Sequence, residues 1–408
     1  MQIHHAAFAL AAAALSFGCS DRPSIVGCAD GTVCTLFPGG QCLPAPVGFD
    51  VCAYPDTECP SGFSWSPQAG DLAGECVPNA DVDAGTDANT SIDGANVGCP
   101  ARIAFTDGAT NALEVYSANP DGTGVTNLSA NASNDARPHW STTGDLVAFE
   151  SNRTGNYEIF TVAAGGSIPR NITQHPDIDQ RPAISPDGTK IAFSRRSGAT
   201  STLWVVDIDG SNARELSSLP CWATNPISWS PDSTRIAFVA NGVVHSVALA
   251  GGTTNLCAGI TGTCSNPAWS PDGAHVALTV YANANSEIYV VDANGSNPTN
   301  ITNNASGDDS APSWSPDSTA IAFASTRNGQ YEIFRTAYPV SGAPLRLTMH
   351  DNTINDFGPQ WSADGTRLAF VRNQTGGSRI ATMTADGTSY TDFAVNANPG
   401  EHSWSPCQ

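Results

Sequence analysis

A unit close to Trp-Ser-Pro-Asp-Gly-x-x-Ile-Ala-Phe recurs along the last three-quarters of the chain and predicts an all-β fold. The expected architecture is a seven-bladed β-propeller of four-stranded antiparallel blades. N- and C-terminal strands sharing one blade should close it, and a small disulfide-rich module should precede it. Two further observations support this reading. Charged residues make up only 13%, while Gly and Pro number 38 and 28, a composition suited to many short strands joined by tight turns. The chain also ends in an orphan half-unit, Trp404-Ser405-Pro406-Cys407, which is what a blade split between the two chain ends requires.

The strand part of the unit begins at Ile103, Leu146, Ile191, Ile236, Val276, Ile321 and Leu368, 40 to 47 residues apart. A turn segment stands before six of these copies, at Trp140, Ile184, Trp229, Trp269, Trp314 and Trp361. A third strand follows in each unit (Glu158-Ile159-Phe160, Glu287-Ile288-Tyr289, Glu332-Ile333-Phe334), then an Asp-Gly or Asn-Gly turn and a short fourth strand such as Asn171-Ile172-Thr173. Pro-Asp-Gly and Asp-Gly supply the fixed and positive φ values of hairpin turns, so four antiparallel strands per unit follow from local chemistry. The recurring tryptophans should pack between sheets as core.

These residues resemble the TolB-type propeller repeat, whose consensus runs P-x-W-S-P-D-G-x-x-I-A-F, then S-x-R-x-G, I-Y-V and L-T. The resemblance spans roughly residues 100 to 408 and implies a cell-envelope setting. The periplasmic member that gives the family its name has six blades, so seven here mark a relative by repeat.

Residues 1–18 contain the apolar run Ala6 to Ala14 and read as a signal peptide. The segment Leu15-Ser16-Phe17-Gly18-Cys19 resembles a bacterial lipoprotein signal, with Cys19 as the lipidated residue; an ordinary secretory signal is the alternative. Residues 19–77 form a cysteine-rich module. Its six cysteines, Cys28, Cys34, Cys42, Cys52, Cys59 and Cys76, are expected to staple a segment too poor in aliphatic residues to build a core. Within it Ser64-Trp65-Ser66-Pro67 imitates the repeat but lacks the turn and strand that should follow. Residues 78–98, almost wholly Ala, Asp, Gly, Asn, Thr and Ser, read as a flexible acidic linker to the propeller at 99–408.

Aligning Ile103 with the repeat puts Cys99 at the Asp of Pro-Asp-Gly, and Cys407 falls at the same place in the last copy. A disulfide between them is therefore expected to lock the ring. Three cysteines remain: either Cys257 and Cys264 form a loop clip and leave Cys221 free, or Cys221 bridges to one of them.

The formal charge of -21, with Lys190 the only lysine, argues against nucleic-acid binding. Five residues before the first-strand Trp or Ile, four units carry an aspartate: Asp135, Asp179, Asp309 and Asp356. Around a channel mouth they would form a partial ring able to hold a cation or a basic segment. The preferred alternative is that each caps its own loop. The other three units place Thr224, Cys264 and Pro399 there. Asp207-Ile208-Asp209-Gly210 departs from the calcium-loop pattern and reads as a hairpin turn. The histidines His139, His175, His245, His275, His350 and His402 occupy unrelated registers, and no G-x-S-x-G elbow is present.

The expected function is that of a non-catalytic scaffold, exported to the cell envelope and using its propeller surface to recognise a protein or an envelope polymer. The chain is expected to be monomeric, to need no cofactor and to touch the membrane only through a lipid anchor. The alternative is a metal-dependent polysaccharide lyase or hydrolase with its site at the channel mouth.

Overall fold

A computed structural model describes three strands between Gln41 and Trp65, and residues 101–405 apart from positions 110, 167, 222–224, 351–352 and 394–400. The signal segment, Cys19, the linker, and the Cys99 and Cys407 pairing lie outside the described residues. The chain divides into two compact units, Met1–Gly98 and Cys99–Gln408. In the first, strands Gln41–Pro44, Asp50–Pro55 and Phe63–Trp65 form one antiparallel sheet in chain order, with Cys42 opposite Cys52. The Ser64-Trp65 pair that imitates the repeat lies in this separate sheet.

The second unit contains seven four-stranded antiparallel sheets. Blades 1 to 6 follow in chain order, with first strands Asp135–Trp140, Ile178–Ile184, Ser228–Trp229, Thr263–Trp269, Asp309–Trp314 and Asn355–Trp361. Blade 7 is composite. Its first strand, His402–Trp404, comes from the C-terminal end and pairs with Ile103–Ala109 near the start of the unit, Trp404 facing Ile103. The propeller is therefore closed by strands from both ends of the unit.

The Trp-Ser-Pro-Asp turn holds itself together. In blades 2 to 6 the serine Oγ accepts the backbone N–H of the residue five positions on, at 2.9–3.0 Å (Lys190 to Ser185, Arg235 to Ser230, His275 to Ser270, Ala320 to Ser315, Arg367 to Ser362). The same hydroxyl donates to the aspartate two positions on, as Ser185 does to Asp187 and Ser315 to Asp317. That aspartate in turn accepts a backbone N–H, from Thr189 and Thr319 respectively. The serine, the aspartate and the following backbone N–H groups of the turn thus satisfy one another locally, and the strand behind it starts at a set angle. Blade 1 has Thr-Thr-Gly in place of Pro-Asp-Gly and draws the carboxylate from Asp145 instead, which accepts from Ser141 at 2.7 Å.

The Ile-Ala-Phe strand is apolar on both faces because it is covered on both. Phe105, Phe149, Phe193, Phe238, Phe323 and Phe370 are fully buried, with Leu278 in their place in blade 4. Each central alanine points the other way, into the next blade. Ala104 packs with Trp140, Val147 and Phe149; Ala148 with Ile184, Ile191 and Phe193; Ala192 with Trp229, Ile236 and Phe238. Ala237, Ala277 and Ala322 repeat the arrangement, and Ala369 carries it across the closure to Ile103, Phe105 and Trp404. A methyl group on one blade leaves room for the large side chains of the next, so the core is seven interlocked wedges.

Hydrogen bonds between first strands follow the same circle. The indole N–H of Trp229, Trp314, Trp361 and Trp404 donates to the carbonyl of Ala183, Ala268, Ser313 and Gln360, each in the preceding blade, at 2.8–3.2 Å. At the other three junctions the donor is a backbone N–H: Trp140 to Ser403 Oγ, Trp269 to Ser228 Oγ, and Ile184 to His139 Nδ1. All seven junctions are bonded, including both that involve the closing strand.

Replacing Ala322 by Val puts two extra methyls against Leu368 and Phe370 and should cost about 1–3 kcal/mol in urea unfolding. The same change at an exposed alanine should be neutral.

Burial holds the His139 and His402 imidazoles neutral down to about pH 4. Their folded pKa lies below the unfolded value near 6.5, so the unfolded chain binds more protons between those limits. Stability is then intact above about pH 6.5 and falls as the pH drops toward 4, by about 3 kcal/mol per histidine. Urea midpoints measured across this window should show that fall, and His402→Leu should remove about half of it.

Candidate functional site

The connections between blades converge on one face around the axis, and their residues determine what that face can do. Four of them, entering blades 1, 2, 5 and 6, are pinned from both sides. From the blade behind, a third-strand glutamate accepts a backbone N–H of the connection: Glu114 from Asn131, Glu158 from His175, Glu287 from Asn304 and Glu332 from His350, at 2.7–3.3 Å. From the blade ahead, an Asp–Arg pair anchors the start of the first strand.

These pairs contain the four sequence-predicted aspartates. Asp135, Asp179, Asp309 and Asp356 are fully buried, and each meets an arginine of its own blade. Arg195 grips Asp179 through Nε and Nη2, both at 2.7 Å; Arg372 grips Asp356 at 2.8 and 2.9 Å. Arg153 reaches Asp135 and Arg327 reaches Asp309, all at 3.0 Å. Each guanidinium also lies over two aromatic rings of its own blade. Arg153 sits over Phe149 and Phe160, Arg195 over Phe193 and Trp204, Arg327 over Phe323 and Phe334, Arg372 over Phe370 and Tyr390, at 4.3–5.5 Å from the centroids.

The four carboxylates are thus spread over four separate blades, each neutralised where it stands. Burial pushes the carboxyls of Asp135, Asp179 and Asp309 upward against the pull of their single arginine. Asp356 is equally buried, but Arg372 together with His350, 2.5 Å away, holds it below the ordinary range. Among the described residues no three His, Cys, Asp or Glu side chains come together as a metal-ligating group.

The remaining connections differ. Cys257 and Cys264 form a disulfide that clips the connection into blade 4, while Cys221 is a buried free thiol. Its partner in the ladder is Ala240, two residues after Phe238, which is the register that Asp179 shares with Arg195 and Asp309 with Ser325. Cys221, and not Thr224, therefore occupies the aspartate position in blade 3. The connection is longer there, so counting five residues back from Trp229 lands short.

A second group of charges lies nearer the axis and was not foreseen. The third residue before the first-strand Trp or Ile sits at a bulge with positive φ, as in Arg137 (56°), Arg181 (57°), Asn266 (50°), Ala311 (53°) and Gly358 (57°). Arg181 Nη2 lies 2.8 Å from Glu401 Oε1, and Arg137 Nε lies 3.6 Å from the same oxygen. Arg181 belongs to blade 2 and Glu401 leads into the first strand of blade 7. Contact between blades that are not neighbours is possible only close to the axis. Arg137 also pairs with Glu150, a buried carboxylate that accepts the Arg181 backbone N–H at 2.9 Å.

Asp179→Ala should leave Arg195 buried without its counter-charge and cost about 3–5 kcal/mol. Replacing both by apolar residues (Asp179→Leu with Arg195→Met) should recover most of that loss in the same urea series, as expected for a structural pair.

Comparison with known proteins agrees with this architecture. A family model described as the TolB beta propeller domain matches residues 98–219 and 198–408. Among solved structures, TolB from Acinetobacter baumannii is 17% identical with a TM-score of 0.51, over 74% of this chain and 66% of that one. A puromycin-hydrolyzing peptidase of Mycobacterium tuberculosis is 13% identical with a TM-score of 0.56, over 72% of this chain and 52% of that one. An oligogalacturonate lyase in complex with manganese is 12% identical with a TM-score of 0.50, over 73% and 85%. At these identities the likeness is one of fold. The chain spans 66% of the Acinetobacter TolB and about half of the peptidase. The chain belongs to the family of the TolB beta propeller domain.

Proposed function

We propose that this protein is a non-catalytic scaffold of the cell envelope, exported and lipid-anchored through Cys19, whose connection face recognises a partner protein. The observation that carries the reading is the double pinning of four connections. Loops held by a glutamate behind and an Asp–Arg–aromatic stack ahead present the same surface before and after contact, so association loses little conformational entropy. The exposed residues of these pinned connections include Ala130, Gln174, Asn303 and Met349. Met349 is 72% exposed and offers a flexible apolar contact. Membership of the TolB-type family supports the exported, envelope-associated setting. The acidic and histidine side chains of the face are engaged in pins and ion pairs, which favours recognition over metal-assisted cleavage of a polysaccharide.

Capture on the immobilised chain from solubilised envelope material tests this. A partner protein should be retained by the wild type and lost or strongly reduced with Met349→Asp, while Ile168→Asp, on a hairpin away from these connections, should leave retention unchanged. Turnover of an envelope polysaccharide with no protein retained would overturn the proposal.

A further inference from the structure

The repeat allows each blade to serve as a control for the others. Where blades 3 to 6 place Pro226, Asn266, Ala311 and Gly358 three residues before the first-strand Trp, blades 1, 2 and 7 place Arg137, Arg181 and Glu401 in the same position. The fold does not need charge there, and a long side chain is poorly suited to the left-handed backbone that both arginines adopt. The support behind them shows the same excess. The bulge N–H of Arg137 is satisfied by the Thr106 hydroxyl and that of Ala311 by the Thr279 hydroxyl. For Arg181 the same task falls to Glu150, a carboxylate 2% exposed, where a threonine suffices elsewhere. Burial pushes its carboxyl up, against the pull of Arg137. Charge has thus been concentrated on one arc of the axis, in three consecutive blades.

Within this arc the members are unequal. Glu150 is buried behind Arg137, and the arginine side chains are 28% and 11% exposed. Glu401 alone is half exposed, at 50%, with one carboxylate oxygen shared between the two guanidiniums. Glu150 holds the Arg137 guanidinium from behind and fixes the Arg181 backbone, and one solvent-facing carboxylate bridges the two guanidiniums in front, the form of an occupied carboxylate site. We infer that Arg137 and Arg181 form a binding site for a ligand carboxylate, and that Glu401 is its internal stand-in, displaced when the ligand arrives. The inference deepens the recognition reading by naming the group recognised on the axis.

The test is titration calorimetry with two probes, free glutarate and a capped peptide of alanines around one glutamate, on the full chain. The variants are Glu401→Ala and the milder Glu401→Gln, each with native near-UV circular dichroism. Removal of the stand-in should tighten binding of at least one probe about tenfold relative to wild type, because the competent state is no longer masked. Adding Arg137→Gln and Arg181→Gln should abolish the gain. Equal gains for both probes assign the site to carboxylates generally. A gain for the peptide alone assigns it to an acidic side chain on a polypeptide. No gain with either probe, or a gain that survives loss of both arginines, overturns the inference. Partner capture that depends on Met349 would still stand in that case, so this failure is separate from failure of the scaffold reading.

Discussion

The structure depends on the two-sidedness of one strand. Ile-Ala-Phe buries a large face toward its own blade's Trp and a small face toward the large residues of the next blade. A blade standing alone would leave one of these faces in water. Each blade therefore requires a neighbour on both sides, and only a closed ring supplies one to every blade. The split seventh blade is the consequence: three residues at the C-terminal end, His402–Trp404, complete the sheet begun at Ile103 and receive Ala369 from blade 6. The indole and backbone hydrogen bonds between first strands follow the same circle and add direction to an otherwise apolar contact.

With the ring fixed by apolar wedges, polar residues are available for the connections. There the repeat solves one problem in several ways. Blades 1 and 5 draw the arginine from four residues beyond the strand phenylalanine, with a serine accepting its Nε–H; blades 2 and 6 draw it from two residues beyond. Blade 4 uses a disulfide, and blade 3 places a thiol at the same register. Against this background of interchangeable structural devices, the charges at Arg137, Arg181, Glu150 and Glu401 stand apart. No other blade needs an equivalent.

Blade number, strand order and closure were legible because they follow from turn chemistry that is local and repeated. Trp-Ser-Pro-Asp closes its own hydrogen bonds within six residues, so its recurrence can be counted without knowing the ring. The partners of the four aspartates were harder to see, since each lies 16 or 18 residues away in one of two registers. Cys221 was misplaced in favour of Thr224 because a longer connection shifts the count while the ladder keeps its pairing. Glu401 and Arg181 are 220 positions apart and meet only because the ring brings blades 7 and 2 to a common axis. No periodicity along the chain encodes that meeting.

Amide hydrogen exchange of the closing blade tests closure most directly. If three C-terminal residues complete a sheet as tight as the others, Ala104 and Phe105 should exchange as slowly as Ala192 and Phe193 of blade 2, and Trp404 as slowly as Trp314. Exchange in the closing blade at the rate of the exposed hairpin turns, with the other six blades protected, would show an open ring and contradict the architecture on which the rest depends.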